Sequence, residues 1–306
     1  ESPCVGAGEE GATIGALGAR ERMLHVPQDY TTIQKAIHAS NDGDTILVAP
    51  GTFNISSTIL NDRVNNLHLC GSREEDGSHA SIIHADVAPG TYHALKFKRV
   101  SGCKISGFEV KNAQIGINLD SCQACQITRN YVHDNDEAAS FHGTGIEIFH
   151  SENIKVAFNV VAHNEYHAIN MGYGNQNINV HNNTILQTYA YDGIVLGDPF
   201  ARDITIKNNI IAHSKQEGID LLVTPENFVH DYNCFWQNGQ GPIGAGYDMG
   251  ENSMIADPKF VDMANQNFYL RSDSPCLGAG ENGANIGALG AHFKITSITD
   301  VKEDQG

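Results

Sequence analysis

Between Ser101 and Asn238 short apolar runs alternate with polar turns, and the runs recur. The segments CKISGFEV, CQITRNYVHDN, NIKVAFNVVAHN, NINVHNNTILQT, DITIKNNIIAHS and NFVHDYNCFWQN fall into register on their isoleucines and asparagines. Asparagine returns at Asn130, Asn159, Asn183, Asn209 and Asn233, at spacings of 29, 24, 26 and 24 residues. A second element returns between them: GINLDS from Gly116, GIEIFHS from Gly145, AINMGYG from Ala168, GIVLGDP from Gly193 and GIDLLV from Gly218. Each repeat therefore predicts three short strands: a GIxI strand, an NIxV strand, and a VVAHN-type strand after the asparagine. Alternating β-branched residues point to a core, and the others face solvent. A period of about 24 residues is too short for a propeller blade and has no leucine-rich or helical signature. Three strands and three turns per coil predict a solenoid. Its coils stack about 4.8 Å apart, each strand pairing with its copies above and below.

The recurring asparagines have a physical reason in that picture. The tight turn between the second and third strands needs a residue that tolerates a left-handed backbone. An amide there also donates and accepts along the stack, forming a ladder. Cys103 and Cys125 occupy equivalent places in neighbouring coils and are predicted to stack; a disulfide between them is conceivable but not implied.

This pattern resembles the right-handed parallel β-helix superfamily, which includes pectate lyases, polygalacturonases and uronan epimerases. The segment VPQDYTTIQKAIHASNDGDTILVAPGTFNIS, Val26 to Ser56, looks like the entrance of such proteins, where a short helix covers the open end of the core. Here that helix is expected over about Thr32 to Ala39, with Ile33, Ala36 and Ile37 as its apolar face and Thr31 as its N-cap. The segments DPKFVD from Asp257 and NFYLRSDSPCLGAG from Asn267 look like the closing segments of secreted β-helix proteins. The resemblance covers about Leu24 to Ala291. It implies an all-β fold: a right-handed parallel β-helix solenoid with three short strands per coil and a short N-terminal capping helix. It is specific for fold and weak for chemistry.

Residues 2–19, SPCVGAGEEGATIGALGA, nearly repeat residues 274–291, SPCLGAGENGANIGALGA. Either the first copy ends an upstream β-helix in a tandem array, or it packs alongside its own coils. Two similar ends would also support head-to-tail association of subunits. The expected organisation is a tail or docking segment over 1–22, the β-helix over 23–293, and a linker over 294–306. The linker ITSITDVKEDQG resembles those leading into fibronectin-like modules of large exported bacterial proteins, which implies an extracellular, multidomain parent. No secretory leader opens at Glu1, so one is expected to lie outside this stretch.

The chain has 306 residues, 41% hydrophobic and 18% charged, which is ordinary globular composition. Its formal charge of −17 argues against nucleic acid or an anionic membrane as partner. It also weakens the case for an acidic polysaccharide unless Ca2+ bridges the two. No apolar run approaches the roughly 18 residues needed to insert into a bilayer. Seven cysteines are too sparse for a disulfide scaffold, and the lone CxxC of Cys122 and Cys125 lacks the second pair a zinc site needs.

In the enzymes of the superfamily the groove lies along the first strand and the turn before it. Here the outward positions of the GIxI strands are Asn118, Glu147, Asn170, Val195 and Asp220. The turns before them supply His142, His167, Tyr191, Asp192, Lys215 and Glu217, and the longest, Asp134 to Thr144, would wall the groove. A hydrolase needs two carboxylates about 5 to 9.5 Å apart, and Asp192, Glu217 and Asp220 fall in adjacent coils. A lyase or epimerase needs a base and a cation. His142, His167 and Tyr191 are candidate bases; Lys215 and Arg202 are the cations at hand. The candidate catalytic set is therefore His142, Glu147, His167, Asp192, Glu217 and Asp220, with Asn118, Asn170, Tyr191 and Lys215 binding an extracellular polysaccharide. The clustered aspartates of polygalacturonases, the epimerase tyrosine–aspartate–histidine motif and the pectate lyase arginine pattern are absent, so no residue roles carry over. Asp134, Asp136 and Glu137 form an acidic loop that offers oxygen ligands for Ca2+ or is simply solvated. Phe141, Phe149, Tyr166, Tyr173, Tyr189 and Tyr191 would suit sugar stacking. A glycan-active enzyme, a non-catalytic glycan-binding module and a structural or filament-forming module all remain open.

Overall fold

The computed structural model describes residues 21–73, 78–85, 92–136, 143–244 and 246–291. Among these, the GIxI strands build an eight-stranded parallel sheet, the first sheet, from Ile59–Asn61 to Gly241–Ile243. The NIxV strands build a nine-stranded second sheet from Met23–Val26 to Val229–Asp231. The strands after the asparagines build a nine-stranded third sheet from Gly51–Ile55 to Met254–Ile255. Isoleucine stacks on isoleucine through the coils, as Ile146 on Ile169, Ile169 on Ile194 and Ile194 on Ile219. The three inner faces enclose one continuous core.

The entrance is closed by one helix, α1, over Ile33–Ala39, whose Ile33, Ala36 and Ile37 are buried. Its N-cap is Thr32, not Thr31: Thr32 has extended backbone and its Oγ1 accepts the Lys35 N–H at 3.2 Å. Thr31 instead accepts from Lys35 Nζ. Thr32→Ala is accordingly expected to destabilise by about 1 kcal/mol, and Thr31→Ala by less than half of that. Urea midpoints of the two variants measure the difference.

The asparagine ladder is present. Each amide donates to the next side-chain oxygen at 3.1 Å, from Asn130 through Asn159, Asn183 and Asn209 to Asn233. The left-handed residue, however, is the one before: Arg129, Phe158, Asn182, Asn208 and Tyr232, at φ of 52–58°. The turn bends one position early, which leaves each ladder asparagine free to aim its amide inward. A second, shorter stack joins Asn135 to Asn164 at 2.9 Å at the corner entering the first sheet. In the core, Cys103, Cys122 and Cys125 are free, buried thiols that donate to backbone carbonyls, as Cys103 Sγ to Val64 O at 3.3 Å and Cys122 Sγ to Phe97 O at 3.2 Å.

The expectation that outward residues face water fails on the third sheet. Val160, Ala162, Leu186, Ile210, Ala212 and Cys234 point outward there and are buried. The chain after Ala256 covers them. It forms the antiparallel pair Phe260–Asp262 and Asn267–Leu270, then returns along the sheet and packs Phe268, Leu270, Cys276 and Ile286 onto it. This exit strap is held by polar bonds at its edge: Ala288 N–H to Thr184 Oγ1 at 3.0 Å, Gly287 N–H to Asn208 O at 2.8 Å, and Lys207 Nζ to Glu281 at 2.7 Å. Burying that apolar row against the strap is favourable for the reason any core is. The third sheet is thereby removed from the list of open faces. Residues 1–20 and 292–306, which hold most of the expected tail and linker, lie outside the described residues.

Candidate functional site

The first sheet carries the candidate face. Strand register sets one outward row of Lys96, Asn118, Glu147, Asn170, Val195 and Asp220, one residue per coil. A second row lies three residues earlier, where the chain bends into the sheet: Thr144, His167, Asp192 and Glu217. Backbone bonds from Gly145 N–H to His167 O, Ala168 N–H to Asp192 O and Gly193 N–H to Glu217 O hold it in step. The glycine of GIxI makes this bend close. At Gly145 a Cβ would lie 2.5 Å from Val161 Cγ1 and 2.7 Å from the Ala168 carbonyl oxygen. The residue before it is turned outward as a result.

Glu147 is only 8% exposed, although it lies on the outer face. Asn118 Nδ2 donates to its Oε2 at 2.9 Å, and Asn170 Nδ2 lies 3.4 Å from Oε1. Burial pushes its carboxyl up to about 7, against the pull of Lys96 and the two amides. Asn118 and Val195 are also buried, so half of this row is packed rather than solvated as expected. Lys96→Met should raise the Glu147 midpoint further, because the cation that favours the carboxylate is gone. A 13C NMR titration of the Glu147 carboxyl measures that shift.

Asp192, 2% exposed, sits between His167 and Glu217. Its Oδ1 accepts the Glu217 N–H at 3.0 Å, and its Oδ2 lies 3.5 Å from His167 Nδ1. Glu217, one coil further, therefore meets Asp192 through its backbone N–H. Burial pushes Asp192 up to about 7, with the neighbouring Glu217 and Asp220 adding to it. Burial and the Glu217 charge push Asp220 up as well. His167 is driven down to about 4 by burial, so it is a neutral imidazole at pH 7 and not the cation of an ion pair. Its Nδ1 has no hydrogen-bond partner among the described residues.

Aromatic side chains flank the carboxyls. Tyr166 and Tyr191 pack with ring centroids 4.2 Å apart, and His167 lies 4.3 Å from Tyr166. Along the other edge of the sheet, Tyr173, Phe200 and Leu222 follow three successive strands and are 62%, 79% and 66% exposed.

The fold thus brings together Glu147, Asn118 and Asn170 in one cluster, and His167, Asp192, Glu217, Asp220 and Tyr191 in another. Other expected residues fall elsewhere. Lys215 is exposed and makes no ion pair among the described residues. Arg202 opens a strand of the second sheet, where it bonds Gln176. Tyr189 stands at the corner against His163. Asp134 is spent on His133, at 2.8 Å, and Asp136 is exposed. No group of three or more His, Cys, Asp or Glu suited to a metal occurs among the described residues. His142, Glu137 and Phe141 lie outside them. Lys96 was not foreseen, because its strand, His93–Lys98, has no GIxI signature; only pairing with Ile115–Asp120 places it in the row. No helix among the described residues is long and apolar enough to cross a membrane.

The sequence family described as the right-handed β-helix region matches residues 25–185 and 67–234. No curated protein matches the chain. Among solved structures, pectate lyase Pel9A is similar at 12% identity, with a TM-score of 0.55 over 90% of this chain and 97% of that one. Alginate lyase from Paenibacillus sp. str. FPU-7 is 16% identical, with a TM-score of 0.53 over 71% and 77% of the two chains. The Dettilon tailspike protein is 17% identical, with a TM-score of 0.54; the match covers 76% of this chain but only 49% of the tailspike. At such identities the likeness concerns the fold alone.

Proposed function

Because the chain belongs to the right-handed β-helix family, we propose that it is an extracellular module that holds a polysaccharide along the first sheet and hydrolyses it. The observation that carries this reading is the buried Asp192 carboxyl, beside Glu217 and Asp220 of the next coil, on an outward, tyrosine-flanked face. Glycoside hydrolysis needs one carboxyl that keeps a proton at working pH and another that does not. Asp192 is the general acid in this scheme. Glu217 or Asp220, one coil further, is the base or nucleophile. Asn170 binds a sugar hydroxyl, with Asn118 and Glu147 packed beside it, and Tyr166 and Tyr191 stack on ring faces. The net charge of −17 and the scarcity of cations in the groove favour a neutral glycan over a uronan.

A second reading, glycan binding without cleavage, is favoured by the exposed Tyr173, Phe200 and Leu222 edge. Incubation with neutral and acidic polysaccharides, with and without Ca2+, separates the readings through reducing ends and absorbance at 235 nm. New reducing ends without absorbance are expected. Absorbance would replace hydrolysis by elimination, with His167 as base. Retention on a glycan column without product would leave binding alone. Hydrolysis should also fall as pH rises through about 7, where Asp192 loses its proton; a rate that climbs steadily to pH 9 would remove Asp192 from the role of acid.

A further inference from the structure

We propose that Cys234 and Cys276 are a thiol pair that closes into a disulfide and fastens the exit strap to the third sheet. Cys234 stands in the outward row of that sheet, in register with Ile210. Cys276 belongs to the strap. Two sets of hydrogen bonds bring them together. On one side, Cys234 Sγ donates to Ala256 O at 3.3 Å. Two residues on, Pro258 O accepts from Ser274 Oγ at 2.6 Å, and the Cys276 N–H donates to that same Oγ at 3.2 Å. On the other side, Cys276 O accepts the Ile286 N–H at 2.9 Å. The next residue, Gly287, lies so close to the sheet that a Cβ would come within 2.5 Å of Ile210 Cδ1. Both cysteines are free thiols, fully buried in the one apolar cluster between sheet and strap. Each is the chief influence on the other: Cys234 holds the Cys276 thiol below its usual value, and Cys276 pushes the Cys234 thiol up.

The place of this pair distinguishes it from the other buried thiols. Cys103, Cys122 and Cys125 belong to the core that the three sheets enclose, and a bond among them would join coils that strand pairing already holds. The strap is a separate layer laid on the outside of a sheet, and such layers open locally before the coils they cover. A bond from Cys276 to Cys234 ties down the part that opens first and closes a loop of about 40 residues. The oxidant is an external small-molecule disulfide, which oxidising compartments outside the cytoplasm supply; only this supply rests on the extracellular reading. Cys276, the more acidic thiol, loses its proton and attacks one sulfur of that disulfide, releasing the other as a thiol. Cys234 then gives up its proton and attacks the Cys276 sulfur, releasing the second thiol. The protein loses two protons and two electrons, and the external disulfide becomes two thiols.

Oxidised glutathione tests this on the full chain, independently of any action on a glycan. Reduced protein is incubated with it, both folded and during refolding from urea, and then mapped by mass spectrometry without reduction. One cross-link is expected, Cys234 to Cys276, lighter by two hydrogens than the reduced pair. Tm should rise by about 4–8 °C over the reduced protein and return when dithiothreitol is added. In Cys276→Ser and Cys276→Ala, glutathione should produce neither the cross-link nor the rise; each variant is compared with itself, so its own stability does not enter. Should neither variant fold, the map of the parent still decides. The proposal falls if both thiols stay free after refolding, if either one joins any other cysteine, or if the cross-link forms and Tm does not rise.

Discussion

Asp192→Asn is expected to stabilise the protein by about 2–4 kcal/mol at pH 8, to leave it unchanged at pH 3, and to remove hydrolytic activity. The folded carboxyl holds its proton up to about 7, whereas its ordinary value is 3.8. Between those values the unfolded chain has released a proton that the folded chain keeps. Stability therefore falls as pH rises through this window, and the loss is complete above it. Asparagine has no proton to lose. Its Oδ1 can still accept the Glu217 N–H. The same change deletes the proton donor, so turnover should drop by about 10²–10⁴-fold. Urea melts at pH 3 and pH 8, together with reducing-end assays, measure both effects. A variant less stable than the parent at pH 8 would mean that Asp192 is ionised and well satisfied there, which defeats its role as the acid. The expected pattern, stability gained and activity lost, is the behaviour of a buried functional acid.

Asn183→Ala should have the largest effect on stability, about 4 kcal/mol, because it cuts the ladder in its interior. Asn183 Oδ1 accepts both the Asn159 N–H at 3.0 Å and the Asn159 amide at 3.1 Å. Its own amide donates to Val156 O at 2.8 Å and to Asn209 Oδ1 at 3.1 Å. Alanine leaves several of these groups buried without partners, and each such group costs about 1–3 kcal/mol, with partial relaxation. Asn233, at the ladder's end, accepts from Asn209 but has Ser253 beyond it in place of another asparagine. Asn233→Ala should therefore destabilise less than Asn183→Ala. Equal urea midpoints for the two variants would show that the asparagines act singly and not as a chain.

Much of the fold was legible because a solenoid converts sequence period directly into contact. Residues one coil apart meet across a strand spacing, so five asparagines and five GIxI strands in register were enough to predict the sheets, the ladder and the candidate face. Local chemistry was legible to within one position: α1 lies where expected, but Thr32 and not Thr31 caps it, and the left-handed turn residue precedes each ladder asparagine. Such shifts turn on backbone angles, which residue type only biases.

The sequence by itself determined the coil, its three strands and the rows in which outward side chains stand, since period and alternation are properties of the chain alone. Only the tertiary structure decided which of those rows meets water and which acids keep their protons. The third sheet's apolar row is covered by a strap from far along the chain, with Ala288 reaching Thr184 across 104 residues. Asp192 and Glu217, 25 residues apart, come together because each precedes a glycine where the chain bends into the sheet, and Asp192 is buried there. Burial and close charge pairing depend on what else packs there, and no local pattern encodes that.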